Sequence, residues 1–340
     1  MKSLTTRALA ATTALMALSA AASAADFEFK FQSSDPAGNP NFILQQGWAA
    51  DVGEKSGGRI AVELLPVESI VAHNETQDAI ASGILDGHVT DVSYFAGKDP
   101  AFGLIGNPVG AWADPQQLFD FINEGGGAAL MNELENPYGL QFLGATTPGL
   151  AAFVSKVPID SVDALKGVKV RAPEGLVRQV FAAAGAAPVN LPGSEVFTSL
   201  DKGVIDAADY SVFSTNQAQG LNEVAPHPIY PGFHSMPLVE ISMSKAKWDE
   251  LPDDLKEVMT QSVKDFGQVQ VAALAEADAK AVEEAKAGGK ITVHDWPAEE
   301  RAKFRGIAKG EWEKVSAGSE NAKKVYDTLT AYLTEKGLME

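Results

Sequence analysis

From Pro252 to Gly289 the sequence keeps a single helical pattern for about 35 residues, and this run limits the possible folds more than any other feature. The acidic pair Asp253-Asp254 behind a proline marks its start, and Leu255, Val258, Met259, Phe266 and Leu274 hold one apolar face until Gly288-Gly289 ends it. At about 1.5 Å per residue such a helix is about 50 Å long. That exceeds one domain, so the run predicts two bodies bridged by one helix. The 340 residues of the chain suit this division, because single cores stop growing at about 250–300 residues.

Elsewhere strands and helices alternate, which predicts α/β architecture. FEFKF at 27 to 31 reads as an alternating strand, 40 to 55 as an amphipathic helix stopped by Gly57-Gly58, and IAVELLP at 60 to 66 as a second strand. Helices are expected near 74 to 82, 114 to 123 and 126 to 135, with an apolar strand at 140 to 145. A second cycle opens near Ala151 and runs through VKVRAP at 168 to 173, a helix from Glu174 to Ala184, and a strand from Ile205 to Tyr210. Two such lobes leave a cleft that closes by hinge motion.

Residues 1 to 25 read as an export signal. Lys2 and Arg7 give a positive start, residues 8 to 20 are apolar but too short to span a bilayer, and Ala22-Ser23-Ala24 is a small-residue cleavage site. No later stretch is long and apolar enough for a membrane helix, so direct membrane insertion is not expected. With no cysteine, disulfides, thiolate metal sites and a lipid-anchored cysteine are excluded. The formal charge is −18, and removing Lys2 and Arg7 makes it −20. Such a surface repels nucleic acid and anionic lipid, and it also repels an acidic ligand unless a local cation overcomes the field.

Motifs for catalysis are missing: there is no G-x-S-x-G, H-E-x-x-H, P-loop or G-x-G-x-x-G. The histidines at 73, 88, 227, 234 and 294 lack close ligand spacing, and those bracketing HPIYPGFH read as polar loop residues. In DALKGVKVRAPEG (163 to 175), Arg171 ends a short strand just before a helix. Its planar fork suits a carboxylate, and a salt bridge to Glu174 or Asp206 is the alternative. Asp209 and Tyr210 fall at a strand's carboxyl edge, where α/β proteins bind ligands; Asp209 is either a ligand or cation contact, or a solvated carboxylate. Tyr94, Phe95, Trp112, Phe213, Tyr230 and Phe233 lie in loops or strand ends, where packing and ligand contact are both open to them.

Taken in order, SGGRIAVELLP (56 to 66), DALKGVKVRAPEG, LPGSEVFTSLDKGVIDAADY (191 to 210) and YPGFHSMPLVEI (230 to 241) resemble the DctP-type solute-binding subunit of tripartite ATP-independent periplasmic (TRAP) transporters. The resemblance implies a two-lobed, Venus-flytrap α/β fold with a long helix spanning both lobes. It places lobe 1 at 26–148 plus 237–275 and lobe 2 at 149–236 plus 276–340. It also implies a periplasmic protein, no enzymatic activity, and delivery of a small organic acid to small and large membrane subunits. Arg171 occupies the place of the family's carboxylate-clamping arginine. The segment near Ala151, PGLAAFVSK, lacks the second arginine of dicarboxylate and sialic acid binders. The YPGFH and DAADY segments are closer to the branch that binds 2-oxo or 2-hydroxy monocarboxylates. C4-dicarboxylate or sugar-acid binding, or ligand sensing, are the alternatives. In that branch some members hold the ligand through a cation, so Na+ or Ca2+ is implied, with Asp209 and Glu240 as ligands. Tyr94, Tyr210, Asn216 and Phe233 are then expected beside the substrate.

Overall fold

A computed structural model describes residues 25–339, so nearly all of the export signal read at 1 to 25 lies outside the described residues. The chain begins with β1 (Phe27–Ser33), α1 (Pro40–Lys55), β2 (Ile60–Leu65), α2 (Thr76–Ala81) and β3 (Gly87–Asp91). It continues through α3 (Pro100–Gly106), α4 (Pro115–Asn123), α5 (Gly127–Glu135) and β4 (Leu140–Thr146). A second group follows: β5 (Val154–Ser155), β6 (Lys169–Arg171), α6 (Leu176–Ala183), β7 (Ala187–Val189), α7 (Val196–Asp201), β8 (Ala207–Ala208), α8 (Phe213–Ala218) and α9 (Leu221–Val224). The chain then returns as β9 (Val239–Ser244) and finishes in α10 (Lys245–Glu250), α11 (Asp253–Gly288), α12 (Ala298–Ser316) and α13 (Glu320–Glu335).

Two sheets result. The first has the order β2-β1-β3-β9-β4, and the second β5-β8-β6-β7. In the first, β1 runs parallel to β2 and β3, and β9 lies antiparallel between β3 and β4. In the second, β6 is parallel to β7 and β8, and β5 is antiparallel to β8. Three helices of the first group start with the same device. Asn39, Asp99 and Asp114 each accept a backbone N–H, and each precedes a proline at the first helical turn.

The bridging helix is present at 36 residues. Its first half packs on the first sheet, where Trp48 Nε1 donates to Ser262 Oγ at 3.0 Å and Phe31, Val89, Ile241, Met259 and Val263 share one core. Its second half meets the second group, where Asp278 accepts from the backbone N–H groups of Ser214 and Phe213 at 2.6 and 3.3 Å. Those bonds satisfy orphan donors at the start of α8. The last two helices are less one-sided than the sequence reading assigned them. α12 packs on α3 and α6, and α13 packs on α3 and α5, because their apolar faces complete a core shared by Phe102, Phe181, Phe304 and Trp312. Where α3 nears the start of α6, Gly175 has φ +90°, and a Cβ there would come within 2.8 Å of Ala96, so only glycine fits.

Candidate ligand-binding site

The parallel strands of the two sheets aim their carboxyl ends at one cleft, as expected of α/β sheets. From the first sheet come Asp35, two residues past β1, Asp91 at the end of β3, and Tyr94 just beyond it. From the second come Arg171 at the end of β6 and Tyr210 and Ser211 after β8. Asn41 and Gln45 of α1 and Gln270 of α11 complete the polar wall. The cavity measures about 60 Å³ as room for water centres. At about 10–15 Å³ per water it holds about five, which suits a ligand of a few heavy atoms. Two hydrogen bonds cross the cleft from the start of α1, Asn39 Nδ2 to Tyr210 Oη at 3.2 Å and Asn41 Nδ2 to Ser211 Oγ at 3.4 Å.

Arg171 is 3% exposed. Its Nε donates to the Leu191 carbonyl at 3.0 Å, and Nη1 donates to the Asp209 carbonyl at 2.7 Å. Nη2 has no partner among the described residues, and no described carboxylate lies within the 4.0 Å of an ion pair. The alternative of a salt bridge is not realised, since Asp206 accepts from the Lys169 backbone N–H at 3.1 Å instead. Two neutral carbonyls thus fix the fork and leave its charge uncovered at the cavity wall, which leaves room for an incoming carboxylate.

The opposite wall is acidic. Burial pushes the Asp91 carboxyl up to about 7, with the charge of Asp209 adding to it, while the bonds from Ser93 and the charge of Arg171 pull the other way. Burial likewise pushes Asp35 up to about 6 against hydrogen bonds from Gln45 and Asn41. Both side chains are only half-buried by exposed area, because they open onto the cavity. Such carboxyls can donate to a ligand when protonated, or hold a hard cation when ionised.

Of the residues expected at the substrate, the structure brings together Arg171, Tyr94 and Tyr210. It does not bring the others. Phe233 stacks on Trp296 with centroids 3.9 Å apart and lines a different cavity, because α12 and the segment before it cover the loop. The Asn216 amide is consumed: Nδ2 donates to the Ala152 and Ser211 carbonyls, and Oδ1 accepts from the Ser211 N–H. It shapes the loop that carries Ser211. The expected cation pair is also divided. Asp209 Oδ1 lies 3.0 Å from His234 Nε2 beside Arg171, whereas Glu240 sits inside the first sheet with His88 and Glu135. The sequence reading missed Asp35, Asp91 and the pairing of His234 with Asp209. Both missed acids stand at carboxyl ends of strands, and that position was the available signal.

The family model described as "Bacterial extracellular solute-binding protein, family 7" matches residues 31–318. A TRAP periplasmic solute-binding protein from Rhodobacter sphaeroides, solved without ligand and open, is 68% identical, covering 92% of this chain and 99% of its own, with a TM-score of 0.76. One from Colwellia psychrerythraea with bound calcium and pyruvate is 22% identical over 91% of this chain and 94% of its own, with a TM-score of 0.81. A monocarboxylate 2-oxoacid-binding periplasmic protein of Nostoc sp. is 29% identical over 74% of this chain and 70% of its own. No described helix is long and apolar enough to cross a membrane.

Proposed function

The chain belongs to the bacterial extracellular solute-binding proteins of family 7, as a TRAP periplasmic solute-binding protein and not an enzyme; from that premise we propose that its cleft captures a 2-oxo or 2-hydroxy monocarboxylate. The observation that carries this reading is Arg171, a buried guanidinium that lines a small cavity, is held by two carbonyls, and has Nη2 unpartnered and no ion pair among the described residues. One uncovered fork calls for one carboxylate. The half-buried carboxyls of Asp91 and Asp35 then face the ligand's 2-substituent, directly or through a cation. Their oxygen-only lining fits a hard ion such as Na+ or Ca2+, and these two replace Asp209 and Glu240 as the residues that would hold it. Relatives named for 2-oxoacids, and for calcium with pyruvate, support the choice of substrate class.

Binding is read as a shift between open and closed forms. In support, this structure superposes better on the ligand-bound relative than on the open one, although the open one shares three times the sequence. The moving parts are taken as the two sheets, with crossings after 148, before 237 and within α11. The protein would work in the periplasm after removal of residues 1 to 25 and pass its ligand to the two membrane subunits of a TRAP transporter. A calorimetric screen of monocarboxylates against dicarboxylates, with sodium or calcium added or withheld, tests the reading. Micromolar affinity, about −8 kcal/mol, is expected for pyruvate- or lactate-sized acids, which are recovered unchanged. Preference for a dicarboxylate, or no binding to any acid, removes it.

A further inference from the structure

A second set of buried polar groups lies inside the first sheet. Residues 88 and 90 of β3 share a face with residues 240 and 242 of β9, His88 opposite Ser242 and Thr90 opposite Glu240. The other face, with Val89, Ile241 and Met243, packs on α1 and α11. Glu135, the last residue of α5, reaches this polar face, and His88, Glu135 and Glu240 are all fully buried. One ligand atom from each of the three lies within 4.8 Å of the other two. His88 Nε2, Glu135 Oε1 and Glu240 Oε1 have no hydrogen-bond partner among the described residues, and neither has the Thr90 hydroxyl. His88 Nε2 stands 3.5 Å from Glu240 Oε1, too far for a good bond.

The surroundings fix the ring and the carboxylates. Thr76 Oγ1 lies 2.9 Å from His88 Nδ1 and 3.4 Å from the His73 carbonyl oxygen. With the hydroxyl accepting from Nδ1–H, Nε2 keeps a bare lone pair for the cluster. A hydrogen bond on the far nitrogen is the usual way to orient a metal-binding histidine. Ser242 Oγ stands 2.8 Å from an oxygen of each glutamate, so their other oxygens turn toward the ring. Two carboxylates here carry a charge that burial makes costly.

We propose that this cluster holds one divalent first-row transition-metal ion, zinc foremost, bound by His88 Nε2 and one oxygen each of Glu135 and Glu240. The ion neutralises both carboxylates, and one imidazole with two carboxylates is a donor set that zinc accepts. It ties β3, β9 and α5 together and is separate from the cleft, so it does not depend on the ligand assignment above. The competing way to neutralise the cluster is with protons, one on Glu135 shared through Ser242 and one on His88.

Metal analysis of the full chain purified without chelator, followed by X-ray absorption at that metal's edge, tests the site. About one equivalent is expected, with one imidazole nitrogen and otherwise oxygen neighbours. Stripping with a strong chelator should lower the melting midpoint by several degrees, and added zinc should restore it. Glu135→Gln and His88→Gln should each lose the metal, and Arg171→Ala should keep it. Should either cluster variant fail to fold, the absorption spectrum of the unaltered protein decides, and an oxygen-only shell overturns the site. So does a protein that neither carries metal nor takes up zinc, manganese or cobalt with a change in midpoint; the protons then hold the cluster. Metal kept by His88→Gln or lost by Arg171→Ala also overturns it.

Discussion

The cleft and the cluster within the first sheet both bury charged groups with atoms that no described residue hydrogen-bonds, and they differ in who can reach them. At Arg171 a cation is fixed by two carbonyls at the wall of a cavity, where under the proposed function a solute arriving from outside completes it. At Glu135 and Glu240 the charge is sealed between β3, β9 and α5, so whatever neutralises it must enter with folding. An unmet polar atom is informative only together with its access. With a path to solvent it marks exchange, and without one it marks a permanent occupant.

The contrast can be broken most strongly at the sealed cluster. Glu240→Ala leaves Glu135 and His88 facing an empty space, and the loss expected for breaking a buried charged group is about 3–5 kcal/mol of stability, read as a lower denaturant midpoint. A midpoint within experimental error of the unaltered protein would make the cluster no different from a solvated surface. Next comes Arg171→Ala, which removes a charge-assisted contact worth about 1.5–3 kcal/mol. Affinity for the acid should fall about 10- to 100-fold by calorimetry, while the ligand-free melting midpoint stays close to that of the parent. Unchanged affinity would take Arg171 out of the site.

A third effect concerns the acidic wall. The carboxyls of Asp91 and Asp35 sit at about 7 and about 6 in the folded protein, above 3.8 in the unfolded chain. The folded state therefore holds their protons more tightly. Their contribution is fully present below about pH 4 and is lost as pH rises through 6 and 7. The ligand-free protein should lose about 1–2 kcal/mol between pH 5 and pH 8, after allowing for solvent in the cavity, and Asp91→Asn should flatten the profile. A profile that rises over this window contradicts the assignment. The smallest effect is at the cross-cleft bonds. Asn39→Ala removes the bond to Tyr210 and the cap of α1, and Tyr210→Phe removes the first alone. In the latter a loss of less than about 1 kcal/mol, seen as a few-fold weaker binding, is expected; no change would mean that closure does not use this contact.

Much of the architecture was legible because it follows local rules. The bridging helix announced itself through period and end signals; the place of Arg171 between strand and helix left a carboxylate or a salt bridge open, and the resemblance chose the carboxylate. Position along the chain was less use where neighbours come from far away. Phe233, in a loop beside glycine and proline, reads as open to a ligand, yet α12 and Trp296, more than 60 positions later, close over it. β3 and β9 escaped notice for a related reason. In GHVTD and VEISMS, polar residues occupy one face as on a strand with one side in water, but α2 and the Glu135 side chain at the end of α5 cover that side. A polar stripe on a covered strand is a local conflict that folding tolerates where a specific group is held. The strand-end positions of Asp35 and Asp91 were a local signal, but that the two meet in one cleft follows only from the strand order, which no short stretch of sequence contains.

The placement of β9 sets the order of assembly. The first sheet cannot be finished until residues 239 to 244 slot between β3 and β4, and everything that forms the second sheet, residues 154 to 208, precedes them in the chain. For a polypeptide emerging amino end first, the later-encoded sheet can complete while the earlier one still lacks a central strand. The edges of β3 and β4 stay unpaired during that interval and are open to wrong partners. Slow emergence of the chain, or a helper that shields those edges, would therefore matter most before residue 244 emerges.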